Sequence, residues 1–267
     1  MFKVIEQRNS QGKLDSACSR NKLVRKAFAM LRAFHGPEEW LTSMELSHRA
    51  GLPKASGHRL VQTLEQIGAI VRGPNGRYRL GMLLVTLSNK VSIQELLREA
   101  AQPIVSELAV QLGCTAHLGV LENCMVTYLC KIDGSSDFVV HTRVDAQHEP
   151  YCTGLGKVLL ASLAPAALEE FLLDGDFVPL TKNTITDRAR LRQAVQMAGE
   201  LGYAVDDEES AYGMRCLAVR VRDADGCTIA AISISDRAER LTLKQLEEVS
   251  ASVREAARDI EGKFCPR

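Results

Sequence analysis

Apolar residues recur at helical spacing through the first third of the chain. The spacing predicts an amphipathic helix over residues 23–34 and two short helices over residues 43–50 and 54–67, the last of which buries Ile67. The turn Gly51-Leu52-Pro53 separates the short helices, because glycine ends one helix and proline starts the next. Two short helices around such a turn form the helix-turn-helix pattern.

A short hairpin is predicted directly after these helices. Residues 69–72 and 77–80 alternate as strands do, and Asn75-Gly76 between them is typical of a tight hairpin turn. The hairpin is basic. A basic hairpin after the second short helix predicts a winged helix-turn-helix.

Beyond residue 80, the spacing of apolar residues predicts both helices and strands. Apolar side chains cover more than one side of residues 81–91, which predicts a linker helix packed against another subunit. Strands are predicted over residues 114–121, 125–132, 138–143, 203–206, 216–221 and 228–235, and helices over residues 93–112, 154–162, 165–173, 187–201 and after a capping box at Thr242 and Gln245. This order indicates an α+β domain of the sensory type.

The predicted organisation has four parts. They are a flexible arm over residues 1–18, a winged helix-turn-helix domain over residues 19–80, the linker helix over residues 81–91, and a ligand-binding domain over residues 92–267. At 267 residues the chain is long enough for two domains with separate cores.

Composition excludes several classes of protein. No run of about 18 apolar residues is present, and residues 1–19 lack the apolar core of a secretory signal, so we expect a cytoplasmic protein. The eight cysteines contain no C-x-x-C pair and are expected to be reduced and mostly buried. Neither a metal nor another cofactor is expected, since His and Cys do not fall at ligand spacing.

The net charge of zero hides a division between the two parts of the chain. Residues 1–90 contain 15 basic and 6 acidic side chains, whereas the remaining 177 residues contain 18 basic and 27 acidic ones. A net charge of +9 on the smaller part favours a polyanionic partner, and with the predicted wing it indicates double-stranded DNA.

The chemistry of DNA recognition assigns roles within the basic part. The second short helix is expected to enter the major groove and to face it with Lys54, Ala55, Ser56, His58, Arg59 and Gln62, of which Arg59 and Gln62 are the expected base readers. The residues expected to contact phosphates are Thr42 and Ser43 at a helix start and Arg72, Arg77 and Arg79 on the wing.

Three features of the acidic part are candidates for binding a ligand. Ser233 and Ser235 lie on one face of an otherwise apolar strand, residues 151–157 enter a helix through glycines that leave amides free for an anion, and residues 206–209 form a carboxylate cluster. The alternatives are an ordinary surface strand, a plain helix start and a solvated acidic loop.

The sequence closely resembles the IclR family of bacterial transcription regulators over about residues 19–262. The resemblance rests on Gly51 to Leu60, Asn75 to Gly81, Tyr151 to Lys157, Gly202 to Glu209, Gly213 to Cys216 and Ala231 to Ser235. Gly57 departs from the family pattern, which usually has a larger residue there, and glycine inside a helix costs about 1 kcal/mol relative to alanine.

The resemblance implies a fold, a partner and a pocket. It implies a winged helix-turn-helix domain, a linker helix and a GAF-like effector domain, assembled as a dimer or a dimer of dimers on operator DNA. The implied pocket for a small organic acid consists of Gly154, Leu155, Asp206, Met214, Cys216, Ser233 and Ser235. None of these is an arginine, so a carboxylate would be bound by amides and hydroxyls.

Two other classes of function compete with this interpretation. An enzyme is disfavoured because Ser233 and Ser235 have no recognisable His or Lys partner and no G-x-S-x-G motif is present. A thiol-based redox regulator would use Cys114, Cys124 or Cys130.

Overall fold

The computed structural model describes residues 22–36 and 38–264, and the predicted arm over residues 1–18 lies outside them. The chain divides into two compact units, residues 1–92 and 93–267. Within the part of the chain that is described, no helix has the length and apolar character needed to cross a membrane.

The first unit contains a helix-turn-helix and a two-stranded wing. Its elements are α1 (Lys22–Leu31), α2 (Ser43–Arg49), α3 (Lys54–Gln66), β1 (Ile70–Arg72), β2 (Tyr78–Leu80) and α4 (Met82–Ser88). Strands β1 and β2 pair antiparallel, and Leu41 adds a single bridge to Tyr78. Helix α1 ends at Leu31, three residues before the predicted end.

The small core of this unit lies between α1, α2, α3 and the wing. It is formed mainly by Met30, Leu46, Leu60, Val61, Leu64 and Ile70. The prediction that Ile67 is buried is wrong, since its side chain is 55% exposed. Helix α3 ends at Gln66 and the chain turns away through Gly68, which has a φ of +76°.

The second unit is built on one antiparallel sheet. Its elements are α5 (Ile93–Leu112), β3 (Thr115–Glu122), β4 (Met125–Ile132), β5 (Gln147–His148), α6 (Gly154–Leu160), α7 (Pro165–Asp174), α8 (Arg188–Leu201), β6 (Tyr203–Asp207), β7 (Met214–Arg222), β8 (Thr228–Arg237) and α9 (Leu243–Phe264). The six strands follow the order β5-β4-β3-β8-β7-β6.

The prediction of a strand over residues 138–143 is wrong. This segment is irregular, and the short β5 pairs with β4 in its place, with His148 opposite Val126. The apolar residues that suggested a strand, Phe138 to Val140, line a cavity above the sheet. Their apolar character therefore reflects contact with that cavity, which a local pattern cannot distinguish from strand pairing.

The two faces of the sheet carry separate cores because side chains alternate along each strand. On one face, α5 and α9 pack over residues such as Leu118, Ile232 and Leu217. On the other face, α6 packs over Tyr128, Ala218 and Ala231, among others. The polar side chains discussed below lie on this second face.

Helix α6 packs closely against the sheet at Gly119 of β3 and against the loop after β5 at its own Gly156. A Cβ atom on Gly119 would lie 3.1 Å from Val126 Cγ1 and 3.3 Å from Leu155 Cδ1, and one on Gly156 would lie 2.1 Å from the Pro150 carbonyl oxygen. The two glycines thus allow the helix start to lie close to both β3 and the loop that precedes it.

Candidate DNA-binding surface and ligand cavity

Helix α3 presents its predicted reading face to solvent. Lys54, Ala55, His58, Arg59 and Gln62 are exposed and Ser56 is half-buried. His58 Nε2 and Gln62 Nε2 lie 3.3 Å apart on successive turns. The face is therefore free for the major groove, although its contact with DNA remains a prediction.

Gly57 has a structural role on the opposite face of α3. It is buried, and a Cβ atom there would lie 2.0 Å from Ser47 Oγ and 2.7 Å from Ser47 Cβ. Ser47 itself is buried on α2, where its hydroxyl donates to the Ser43 carbonyl at 2.6 Å. The absence of a side chain at Gly57 thus allows the two helices to approach each other closely.

The start of α2 is largely engaged within the protein. Thr42 and Glu45 form the predicted capping box: the Glu45 amide donates to Thr42 Oγ1 at 3.2 Å, and the Thr42 amide donates to Glu45 Oε2 at 2.7 Å. These hydrogen bonds hold the pKa of Glu45 below its usual range, against the effect of burial. Ser43 is half-buried and remains the better candidate for a phosphate contact at this helix start.

The wing exposes three arginines in different environments. Arg79 stacks on Trp40 with its guanidinium carbon 5.0 Å from the ring centre, and Arg77 donates to the Trp40 carbonyl at 2.9 Å and lies 3.6 Å from Glu45. Arg72 forms no ion pair with any residue in the described ranges. Of the three wing arginines, Arg72 would therefore break the fewest contacts within the protein on binding a phosphate.

A cavity of about 390 Å³ opens on the α6 face of the sheet in the second unit. It is lined by His117, Tyr128, Phe138, Val139, Val140, His141, Thr142, His148, Thr153, Leu155, Asp206, Ser210, Ala211, Tyr212, Met214, Cys216, Ser233 and Ser235. This volume suits a small organic ligand. None of these lining residues is a lysine or an arginine.

Six of the seven predicted effector residues line this cavity, and Gly154 does not. A Cβ atom on Gly154 would lie 3.3 Å from Cys216 Sγ, from Ala218 Cβ and from the Ala204 carbonyl oxygen. Gly154 therefore packs the first residue of α6 against strands β6 and β7. One amide at this helix start is already bound, since Gly156 donates to Thr153 Oγ1 at 3.0 Å.

The polar floor of the cavity follows from strand register. Asp206, Cys216 and Ser235 are paired across β6, β7 and β8, and Ser233 is paired with His117 across β8 and β3. Ser233 and Ser235 are two residues apart on one strand, so the two rows lie about 7 Å apart.

Asp206 is buried, and both of its carboxylate oxygens accept hydrogen bonds. Its Oδ1 accepts from the Glu209 amide at 2.7 Å and the Ser210 amide at 3.3 Å, and its Oδ2 accepts from Ser210 Oγ at 2.5 Å. Burial raises the pKa of Asp206, and these hydrogen bonds and Lys157 oppose the rise. The carboxyl group therefore shapes the loop that follows β6 as well as the cavity wall.

Lys157 and Glu209 form a buried ion pair near Asp206. Lys157 Nζ also donates to the Val205 carbonyl at 2.6 Å, and both side chains are more than nine-tenths buried. Burial raises the pKa of Glu209, against the effect of Lys157. One ammonium group is thus close to two buried carboxyl groups.

The Cys216 thiol and the His117 and His148 imidazoles are uncharged near neutral pH. Burial, and secondarily the Asp206 carboxylate, raise the pKa of Cys216 to about 12, although the Ser233 and Ser235 hydroxyls oppose this rise. Burial lowers the pKa of His117 to about 3 and also lowers the pKa of His148. These three groups are therefore neutral hydrogen-bonding groups beside the single carboxyl group of the lining, that of Asp206.

The histidines that line this cavity were not predicted from the sequence as ligand-binding residues. These histidines are His117, His141 and His148, and the lining residues Thr142 and Tyr212 were likewise not predicted. The sequence does contain one indication of a buried polar site. His117 lies inside an apolar strand, where a buried polar side chain needs a hydrogen-bond partner. In the described ranges, no group of three His, Cys, Asp or Glu side chains could hold a metal ion.

The cysteines proposed for the redox alternative differ in environment. Cys114 and Cys130 are buried and Cys124 is exposed. Burial raises the pKa of Cys114 to about 12 and also raises the pKa of Cys130, which makes both thiols poor nucleophiles. Cys18 and Cys265 lie outside the described residues.

A basic winged helix-turn-helix unit and a cavity-bearing α+β unit together define a DNA-binding regulator with an effector domain. Comparison with known families agrees with this class. The profile of the bacterial transcriptional regulator IclR C-terminal domain matches residues 90–262, and that of the IclR helix-turn-helix domain matches residues 23–74. The chain belongs to the IclR family.

Individual relatives extend over almost the whole chain. The HTH-type transcriptional regulator XynR of Escherichia coli (strain K12) is 33% identical over 234 residues, covering 87% of this chain and 93% of its own length. The crystal structure of the Thermotoga maritima IclR has 26% identity and a TM-score of 0.61, covering 90% of this chain and 98% of its own.

A third relative was solved with a small molecule. An IclR homolog from Microbacterium hydrocarbonoxydans, complexed with 4-hydroxybenzoate, has 26% identity and a TM-score of 0.60, covering 91% of this chain and 99% of its own. The structural neighbours share the helix-turn-helix and GAF-like domains. Since the family consists of transcriptional regulators, the protein is a regulator and not an enzyme.

Proposed function

We propose that the protein binds operator DNA as a dimer or a dimer of dimers and responds to a small organic acid that binds in the cavity of its second unit. The observation that carries this proposal is the cavity of about 390 Å³, in which Leu155, Asp206, Met214, Cys216, Ser233 and Ser235 come together. The complex of a relative with 4-hydroxybenzoate supports an acid as the ligand class.

The cavity binds the acid through neutral donors. Ser235 and the protonated thiol of Cys216 face it from adjacent strands, and Thr153 adds a hydroxyl at the start of α6. A carboxylate would thus be held by hydrogen bonds and not by an arginine. Such an acid alters DNA binding only if it binds two arrangements of the protein unequally, typically by about 1–3 kcal/mol.

The DNA is bound by α3 and the wing. Helix α3 enters the major groove with Arg59 and Gln62 as base readers, while Ser43 and Arg72 contact phosphates. Thr42, Arg77 and Arg79 also contribute to this surface. In a dimer, two such helices contact half-sites about 34–36 Å apart, or farther if the linker helix spreads them.

The central experiment is a gel shift with the promoter DNA upstream of the gene, titrated with a panel of organic acids. We expect retardation of the DNA that at least one acid changes. Ser233→Ala is expected to preserve DNA binding and to weaken the response to that acid. Absence of retardation at every acid concentration would contradict the DNA-binding proposal, and loss of DNA binding by a folded Ser233→Ala variant would contradict the cavity assignment.

Self-association is proposed from the exposed apolar side chains of the first unit. Met82, Val85 and Leu87 on α4 and Leu23 and Phe28 on α1 are each at least 50% exposed, and α4 buries none of its residues. Such a concentration of exposed apolar residues is typical of an interface. Val85→Glu should lower the sedimentation-determined mass to that of a monomer, whereas Val178→Glu, at an exposed loop position of the other unit, should not.

A further inference from the structure

Two buried polar atoms on the cavity floor have no nitrogen or oxygen partner among the described residues, and the second of them interacts with the weakly hydrogen-bonding thiol of Cys216. They are His117 Nδ1 and Ser233 Oγ, and each side chain is 1% exposed. Both residues line the cavity, and they are directly opposite each other in the β3–β8 pairing. Buried polar groups are almost always hydrogen-bonded, so an unsatisfied pair in one cavity indicates a place for a ligand group.

The neighbouring side chains are engaged elsewhere. Thr142 Oγ1 lies 2.8 Å from His117 Nε2, on the far side of the imidazole ring from Nδ1. The Asp206 oxygens accept three hydrogen bonds from the loop at residues 209–210. The ring of Tyr128 packs edge-on against both His117 and His148.

We propose that His117 Nδ1 and Ser233 Oγ form a subsite for an uncharged hydroxyl group of the effector. This inference rests on the proposed function, because it takes the cavity to be the site of an organic acid. A hydroxyl both donates and accepts, so it satisfies the serine and either tautomer of the neutral imidazole. A carboxylate would require the tautomer that donates from Nδ1.

The spacing of the two polar rows defines the class of acid. The His117–Ser233 row lies about 7 Å along the strands from the row of Cys216 and Ser235, where the carboxylate is proposed to bind. An acid that reaches both rows carries its hydroxyl at the end opposite the carboxylate. The favoured effector is thus a distal hydroxy acid, whose hydroxyl and carboxylate can lie in the two rows at the same time.

The binding experiment compares matched acids by calorimetry on the full-length protein. The probes are 4-hydroxybenzoate, 2-hydroxybenzoate and benzoate, and 6-hydroxyhexanoate, 2-hydroxyhexanoate and hexanoate. The distal hydroxy acid of at least one set is expected to bind about tenfold more tightly than its two companions, because a site built to hydrogen-bond a hydroxyl discriminates against a ligand that lacks it. Equal affinities within both sets would overturn the proposal.

Two substitutions of His117 separate the roles of its ring nitrogens. Asn places an amide near the position of Nδ1, and Gln places one near that of Nε2. His117→Asn should therefore retain the preference for the distal hydroxyl, and His117→Gln should lose it while keeping the contact with Thr142. A preference that survives both His117→Gln and Ser233→Ala would overturn the proposal.

A ligand-free measurement tests the unsatisfied serine directly. If Ser233 Oγ is unpartnered in the free protein, Ser233→Ala should leave the melting temperature unchanged or raise it. The control is Ser136→Ala, which removes a hydroxyl that donates to the buried Asp236 at 2.8 Å and should lower the melting temperature. A decrease for Ser233→Ala as large as that of the control would overturn the proposal.

Different experimental results would overturn the organic-acid proposal and the proposed hydroxyl subsite. If no acid binds, the acid proposal is wrong, and the subsite is then judged on the neutral pair 4-hydroxybenzamide and benzamide. Tighter binding of the hydroxylated amide would support the subsite, and its loss in His117→Gln would assign it to Nδ1. Absence of binding by both amides would overturn the subsite as well.

Discussion

Single residues in this protein are explained by what lies against them in the fold. Gly57 weakens a helix in isolation, yet its neighbour across the helix-turn-helix is Ser47, with no room for a methyl group between them. From the sequence, Gly57 is only a helix residue that costs about 1 kcal/mol relative to alanine, because intrinsic helix propensity is a local property. The close approach of α2 to α3 is a tertiary property, and no pattern within α3 reveals it.

Gly57→Ala should destabilise the first unit by about 1–3 kcal/mol, because the new methyl group overlaps the Ser47 side chain. Hydrogen–deuterium exchange of peptides from α2 and α3 would measure the loss of protection. Gly262→Ala is the matched control, since nothing lies within 4 Å of a Cβ atom at that helical position, and it should be neutral or slightly stabilising. Recovery of protection in the Ser47→Gly/Gly57→Ala variant is expected, and a stabilising Gly57→Ala would contradict the close-packing explanation.

Lys157→Met should destabilise the second unit by about 3–5 kcal/mol at pH 8, because it leaves Glu209 and Asp206 buried without their cation. Burial already raises the pKa of both carboxyl groups in the folded protein, and removal of Lys157 raises them further. Carboxyl groups with raised folded pKa values stabilise the folded state at low pH and lose that contribution as the pH rises through those values. The deficit should therefore be smaller at pH 5 than at pH 8.

Urea denaturation of the wild type and the variant at the two pH values measures this deficit. Lys244→Met, at an exposed position of α9, is the control and should have little effect at either pH. A deficit that is the same at pH 5 and pH 8 would indicate lost packing and not lost charge compensation.

At the scale of elements, the helices and the wing were predictable. The strand predicted over residues 138–143 is absent, and the short β5 that pairs with β4 was not predicted. The capping box at Thr42 and Glu45, the turn at Gly51 and the Asn75-Gly76 hairpin each carry a local physical cause, and all three are present. Residues 138–143 have the apolar character of a strand but lie over the cavity. The cavity histidines were missed for the same reason, since His117 and Ser233 become neighbours only through the pairing of β3 with β8.

The helix and the wing should contribute differently to DNA binding. Arg59→Ala should weaken operator binding by about 1–3 kcal/mol and relax the preference at one base pair, because it removes a base reader. Arg72→Ala should weaken binding to all sequences to a similar extent and reduce the salt slope by about 1, because it removes one phosphate contact.

Quantitative gel shifts with the operator and with scrambled DNA at several salt concentrations would separate these effects. Arg190→Ala removes an exposed arginine from the second unit and should change neither quantity. If Arg59→Ala weakened operator and scrambled DNA equally, Arg59 would be a phosphate contact and not a base reader.

For the whole molecule, the division of charge separates two kinds of binding. The first 90 residues carry a net charge of +9, whereas the cavity in the second unit is lined by no lysine or arginine. DNA binding should therefore depend steeply on ionic strength, while binding of an acid through neutral hydrogen bonds should depend on it only weakly.

Raising the salt from 50 to 200 mM should lower operator affinity by about 10³-fold if roughly six phosphates are contacted. The affinity for a bound acid should change by less than about threefold over the same range, since no exposed ion pair forms. Fluorescence anisotropy with labelled DNA and calorimetry with the acid give the two dependences. A steep salt dependence of acid binding would indicate a cationic contact outside the lining of this cavity.

The stacking of Arg79 on Trp40 has a practical consequence for following these events. The chain contains one tryptophan, and it lies at the base of the wing. When Arg79 leaves the indole for a phosphate, the emission of that fluorophore should change, and no other tryptophan in the protein contributes to the signal. The native chain thus contains a label-free optical reporter of wing engagement.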